Sequence, residues 1–198
     1  FENDANCAAL AEVWKGVACH ENDCCFIVSG TGIGGAVIIN GNLLETGEYP
    51  GCEFGYMVIK ENGLKCNCGR KGCFEKYGSM RAFKDNLRNE LGLEDKTSGK
   101  ELMAILKDTT KESKDYAKIE KVRKQYIRDL SVGIANLVNI FEPEAIGIGG
   151  SFVYFSEVLL QDVKKTILKE DMLFNPRKEI NIQTAVLGNE AGIIGATL

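Results

Sequence analysis

Three cysteines, Cys66, Cys68 and Cys73, lie within eight residues of one another, and two carboxylates, Glu53 and Glu75, bracket them. Thiolates are soft donors suited to Zn²⁺, and Gly63, Gly69 and Gly72 supply the tight turns that would let them converge. The spacing C-x-C-x4-C is tighter than in a common zinc finger, and no fourth ligand is obvious beside it. On these residues alone the stretch from Glu53 to Glu75 is either a small metal-pinned loop or a loop of free thiols. A second chemistry is suggested by glycine turns. Ser29-Gly30-Thr31-Gly32-Ile33-Gly34-Gly35 separates two apolar runs, Cys24 to Val28 and Ala36 to Ile39. Such a turn holds phosphate through backbone N–H groups and the Thr hydroxyl, and it is also the form of an ordinary glycine-rich hairpin. A Walker loop or dinucleotide fingerprint would lead into a helix instead, and no Lys follows here. Asp4, at the start of a helical pattern, is an N-cap carboxylate or a general base.

The elements that must position these groups follow from periodicity. Apolar residues from Ala8 to Val17 recur at helical spacing, predicting a helix over about 5–18. Strands are expected at 24–28 and 36–39, with Asn40-Gly41 as a two-residue hairpin turn. Ser79 caps a predicted helix over 80–91 that Gly92 ends, and Ser98 with Glu101 forms a capping-box pattern. One stripe, Ile119, Val122, Tyr126, Leu130, Ile134, Leu137 and Phe141 among it, predicts a long helix over 113–141, stopped by Pro143. A strand at 145–149 ends in Gly149-Gly150-Ser151, followed by a helix over 155–168, a strand over 180–186 and a last helix over 191–197. Strand and helix in this alternation imply an α/β domain with a partly parallel sheet, in which ligands sit at the C-terminal ends of strands. Gly149 and Gly150 occupy such an end.

The chain has 198 residues, 44% hydrophobic and 26% charged, with a net charge of −4. That balance disfavours nucleic acid and acidic membrane surfaces as partners. No apolar run reaches membrane-spanning length and no signal peptide is visible. Of eight cysteines, Cys24 and Cys25 sit in an apolar run and Cys7 in an alanine-rich helix, places typical of reduced, buried thiols, so a cytoplasmic location is expected. His20, the one histidine, is expected at the surface. Phe1 leads directly into a helix, as expected of a chain cut from a longer protein.

Taken together, these segments resemble the ROK family of repressors, open reading frames and kinases. The matching stretches are N-D-A-N at Asn3 to Asn6, S-G-T-G-I-G-G at Ser29 to Gly35, C-E-F-G-Y-M at Cys52 to Met57 and C-N-C-G-R-K-G-C-F-E at Cys66 to Glu75. I-G-I-G-G-S at Ile146 to Ser151 and the terminal G-N-E-A-G-I-I-G-A complete the order. The resemblance implies an α/β fold of the actin-like ATPase (ribonuclease H-like) type, a mixed sheet flanked by helices, here as the C-terminal lobe over residues 1–198 without the N-terminal lobe. It implies ATP-dependent phosphorylation of a hexose or hexosamine, with Mg²⁺ accompanying ATP and a homodimeric assembly. Asp4 then matches the catalytic base, and Asn3, Glu53, Tyr56 and Glu75 match sugar-binding positions. Gly30, Thr31 and Gly32 match a phosphate loop, Gly149 and Gly150 the turn near the adenosine, and Cys66, Cys68 and Cys73 ligands of a structural Zn²⁺. Two departures stand out. The family's E-x-G-H is Glu53-Phe54-Gly55-Tyr56 here, replacing a histidine zinc ligand by a phenol, with Cys52 as a substitute donor. The family's first phosphate loop, D-x-G-G-T, does not occur in the chain, so the chain alone is expected to be inactive. The alternative is the sugar-sensing domain of a repressor of the same family, whose nucleic-acid binding would reside in an upstream helix-turn-helix.

Overall fold

The computed structural model describes residues 4–18, 21–44, 52–175 and 179–197, with the side chains of residues 4, 5 and 189 set aside. The sheet is built from β1 (Cys24–Ser29), β2 (Ile33–Ile39), β3 (Asn42–Leu43), β4 (Ala145–Gly149) and β5 (Ile182–Thr184), in the spatial order β3-β2-β1-β4-β5. It is mixed. β1 and β2 pair antiparallel with Phe26 opposite Ala36, and β2 turns into β3 through Asn40 and Gly41, both at positive φ as a primed hairpin turn requires. β1 and β4 pair in parallel with Val28 opposite Gly149, and β4 and β5 are parallel as well. A parallel pair needs a crossover. The one from β1 to β4 carries α2 (Glu75–Gly78), α3 (Met80–Leu91), α4 (Gly99–Asp108) and α5 (Tyr116–Phe141), while α6 (Ser156–Lys169) joins β4 to β5. On the other face lie α1 (Asp4–Lys15) and α7 (Ala191–Gly195), packed against each other. No helix among the described residues is long and apolar enough to cross a membrane.

Side chains alternate across a strand with period two, and the burial follows that rule. Cys25, Ile27 and Val37 point into the main core with Leu130, Ile134 and Leu137 of α5 and Leu159 and Val163 of α6. Phe26 and Ala36 face the opposite way, towards Ala9 of α1, and Cys24 and Ile38 pack with Ala18. Cys7, Cys24 and Cys25 are buried thiols, as expected, and burial pushes Cys24 up to about 11 and Cys25 to about 12. His20 lies outside the described residues.

The expected caps are present. Ser79 accepts from the Ala82 N–H at 3.2 Å, and Gly92 ends α3 in the left-handed conformation. At α4 the Ser98 hydroxyl accepts from Glu101 N at 3.2 Å while the Glu101 carboxylate accepts from Ser98 N at 2.7 Å. Several boundaries differ from the periodicity. α5 begins at Tyr116 rather than 113, because Thr110 and Ser113 exchange hydrogen bonds in a local turn. β2 begins at Ile33, since Gly34 and Gly35 keep their ladder partners Val28 and Ile27. α1 stops at Lys15 and β5 stops at Thr184 for a shared reason: Glu12. This carboxylate is fully buried and accepts from Val17 N at 3.0 Å and from Val186 N and Leu187 N at 2.9 Å each. It draws the backbone at both places out of regular structure.

Phe74 lies at the centre of the main core, fully buried, with its ring pressed against Gly78 and Gly133. Phe74→Ala is expected to cost about 3–5 kcal/mol, the range for a large aromatic cavity. Urea unfolding of the two proteins checks this; a loss below about 1 kcal/mol would contradict the packing described.

Candidate functional site

Parallel pairing of β1 and β4 brings their C-terminal ends side by side, so the turn at residues 30–32 and the turn at residues 149–151 emerge together. Their backbones nearly touch. Gly150 has φ of 72°, and a Cβ there would lie 2.7 Å from the Ser29 carbonyl oxygen, closer than a real side chain allows. Ser151 Oγ lies 3.5 Å from the same oxygen, as a long donor contact.

A cleft of about 260 Å³ opens at the first of these turns, lined by Thr31, Gly32, Asn67, Glu75, Lys76 and Arg81 among others. Glu75 begins α2 and spans two neighbourhoods. A Cβ on Gly32 would lie 2.8 Å from Glu75 Oε2, while Oε1 accepts from Cys66 Sγ at 3.2 Å. The turn itself is held by Gly30 N donating to Gly32 O at 3.0 Å and by Arg81 N donating to Gly30 O at 3.0 Å. Lys76 and Arg81 were not singled out by motif. Arg81 sits in the first turn of α3, where the helix dipole disfavours a cation, and that misplacement is the sequence signal that could have found it.

The cysteine stretch is a compact double turn. Val58 pairs with Cys73 and Lys65 with Lys71 as isolated bridges, and Cys66 exchanges backbone bonds with Arg70 and Gly69 at 2.9 and 3.1 Å. Gly72, at φ of 80°, runs against the Lys60 carbonyl where a side chain would not fit. The Cys66, Cys68 and Cys73 sulfurs all lie within 4.8 Å of one another, and Cys68 and Cys73 are 3.5 Å apart. Zn–S bonds of about 2.3 Å at tetrahedral angles place sulfurs about 3.8 Å apart, so the three thiols fit one face of a zinc-sized site. Arg70 donors hold the exposed Cys68 thiol down at about 7, whereas burial pushes Cys73 up to about 12 and also raises Cys66. Cys52 does not join this group. It packs against the main core, close enough to Cys25 to help raise that thiol, which removes it as the substitute donor.

Tyr56 closes a short turn, Phe54–Tyr56, and is about one-third exposed at 36%. The charge of Glu75 raises its phenol, followed by burial and by Glu53, Cys66 and Cys68. It therefore stands among these carboxylates and thiols as a protonated hydrogen-bond donor. Glu53 is exposed just ahead of this turn. Asp4 begins α1, but its side chain, like the whole of Asn3, lies outside the described residues.

Two further features escaped the motifs. The cysteine loop is fastened to α5 by Lys60 Nζ, 2.7 Å from the buried Asp129 carboxylate and 4.4 Å from the centre of the Tyr77 ring. Gln125 Nε2 donates to the same carboxylate at 3.0 Å. A charged residue on the apolar stripe side of α5 was the available signal. Beside Ser151, an apolar-walled cavity of about 490 Å³ is lined by Lys84, Lys100, Met103, Tyr154 and Phe155.

The model of the ROK family matches residues 1–198. The chain belongs to the ROK family. It is 32% identical to the glucokinase of Halalkalibacterium halodurans over 206 residues, covering 98% of this chain and 61% of that one. It is 27% identical to a putative xylose repressor of Caldicellulosiruptor sp., covering 98% of this chain and 50% of the repressor. Among solved structures, a ROK family glucokinase from Streptomyces griseus in complex with glucose and AMPPNP superimposes with a TM-score of 0.77 at 28% identity, over 98% of this chain and 65% of that chain. This ROK chain thus spans less than two thirds of the length of the kinases it matches. The sheet order, with helices on both faces, agrees with the actin-like ATPase fold of these sugar kinases.

Asp129→Ala strands Lys60 and removes the loop's polar anchor, at an expected cost of about 1–3 kcal/mol. Limited proteolysis should then cut first within residues 60–72, before α5. Unchanged cleavage rates there would refute the anchoring role.

Proposed function

We propose that this chain is the C-terminal lobe of an ATP-dependent sugar kinase acting on a hexose or hexosamine. The observation that carries the reading is one cleft shared by two chemistries: the Glu75 carboxylate reaches the Gly-Thr-Gly turn at Gly32. A carboxylate that accepts sugar hydroxyl bonds is thereby set beside backbone and hydroxyl donors suited to a phosphate. The glucokinase relatives, and the neighbour bound to glucose and AMPPNP, support it.

In this reading Glu53, Glu75 and Asn3 accept from sugar hydroxyls, and Tyr56 donates to one. A site that pairs each hydroxyl discriminates sharply, because an unpaired buried group is costly. Asp4 takes the proton from the attacking hydroxyl. Gly30, Thr31 and Gly32 hold terminal phosphates, with Lys76 and Arg81 lending positive charge. Gly149 and Gly150 pass under the adenosine, and the cavity of Met103, Tyr154 and Phe155 takes the base. Mg²⁺ arriving with ATP would supply charge neutralisation at the phosphates. Zn²⁺ would be held by Cys66, Cys68 and Cys73 and would fix the spacing between Tyr56 and Glu75, a structural role.

The xylose repressor relatives favour a second reading, a sugar-sensing domain without catalysis. Retention of Asp4 together with the phosphate turn favours the kinase. In the full-length parent, Asp4→Asn is expected to lower phosphoryl transfer by about 10²–10⁴-fold while sugar binding and melting temperature stay unchanged. A coupled assay with ATP across a hexose panel reads this, and near-normal turnover in the variant would sink the assignment. Metal analysis of the chain purified without chelator is expected to find zinc that Cys73→Ser releases; retention of zinc by that variant would remove the three-thiol site.

A further inference from the structure

Ser29 is the last residue of β1, immediately ahead of the Gly-Thr-Gly turn, and it is fully buried. Its hydroxyl bonds two backbone groups. It donates to the Gly78 carbonyl at 3.2 Å and accepts from Met80 N at 3.2 Å. Gly78 ends α2, the single helical turn that Glu75 begins, and Met80 starts α3, whose next residue, Arg81, donates its N–H to Gly30. The Ser29 carbonyl faces the third segment, with Gly150 in close approach and Ser151 Oγ at 3.5 Å. One residue thus touches the phosphate turn, the junction of α2 and α3, and the turn at 149–151. From the far side, α5 contributes the buried Tyr126, whose hydroxyl donates to the same Gly78 carbonyl at 3.1 Å.

We propose that Ser29 is a positioning residue that couples sugar binding to nucleotide binding, by locking α2 and its Glu75 to the phosphate turn. This rests on the kinase reading. The physical basis is that a buried hydroxyl with donor and acceptor both engaged has one orientation, so displacement of either segment breaks a bond inside the core. A shift of the phosphate turn on binding nucleotide is passed to Gly78, and so to Glu75 three residues earlier. Tyr126 supplies the comparison: its hydroxyl serves the same carbonyl from α5 and also reaches the Ser29 side chain, and its loss leaves the two Ser29 bonds to Gly78 and Met80 in place.

The test uses the full-length parent and calorimetric titration of D-glucose, or of the hexose it phosphorylates best, with and without saturating AMPPNP. In the unmodified protein AMPPNP is expected to tighten sugar binding at least about fivefold. Ser29→Ala should bind each ligand singly within about threefold of normal, yet lose most of that coupling. Tyr126→Phe should keep the coupling while losing comparable melting temperature. Should Ser29→Ala not fold, Ser29→Cys keeps the volume and weakens both bonds, and the same loss is expected of it. Coupling retained in the Ser29 variants, lost equally in Tyr126→Phe, or absent from the unmodified protein overturns the proposal while leaving the kinase reading standing. A parent that binds no hexose of the panel overturns both.

Discussion

The parallel pairing of β1 with β4 is the constraint on which the site depends. Strands that pair in parallel end at the same edge, so two turns more than a hundred residues apart in sequence are delivered to one place. The pairing also forces a long crossover, and that crossover is where the chain stores its specialised parts: the cysteine loop, α2 with Glu75, and the long α5. Close approach of the two turns is then a matter of backbone sterics, met by Gly150 against the Ser29 carbonyl. The glycine turns at 30–32 and 149–150 inherit their positions from strand pairing.

The cysteine loop shows how a local cluster is tied to a distant core. Three thiols gather through short turns within their own stretch, a local event. Nothing in that gathering says where the loop sits on the protein. Its docking comes from Lys60 on Asp129, the Tyr77 ring and the burial of Phe74. The two layers are separable: one sets distances among sulfurs, the other sets the height of Glu75 above the sheet. Replacement of the expected histidine by Tyr56 touches the first layer and leaves the second intact. A neutral phenol beside carboxylates adds a donor where an imidazole would have bound metal.

Much of this was legible in the sequence. Period-two and helical patterns placed β1, β4, α3 and α5, and caps at Ser79, Gly92 and Ser98 marked ends because capping chemistry is local. The glycine turns, the cysteine cluster and its flanking carboxylates could be read as candidate ligand groups from type and spacing. What could not be read depends on long-range partners. β5 and α1 end early because buried Glu12 takes backbone N–H groups just beyond each, a contact spanning most of the chain. Lys60 and Asp129 are unremarkable charges until the fold juxtaposes them, and Cys52 lay near the cluster in sequence but on the core in space. Ser29 looked like a strand-end residue, since its two partners lie some fifty residues away.

Glu12 has a consequence for how the chain is made. Its carboxylate is synthesised 174 and 175 residues ahead of two of its three backbone donors, Val186 and Leu187. Until those residues leave the ribosome, α1 can bury Glu12 only with part of its hydrogen bonds missing, which is unfavourable. Gly195 seats against the Cys7 carbonyl in the same closing step. The face formed by α1 and α7 is therefore completed only once α7 has emerged, and the nascent chain carries α1 undocked while the β1–β4 half of the sheet is already able to assemble.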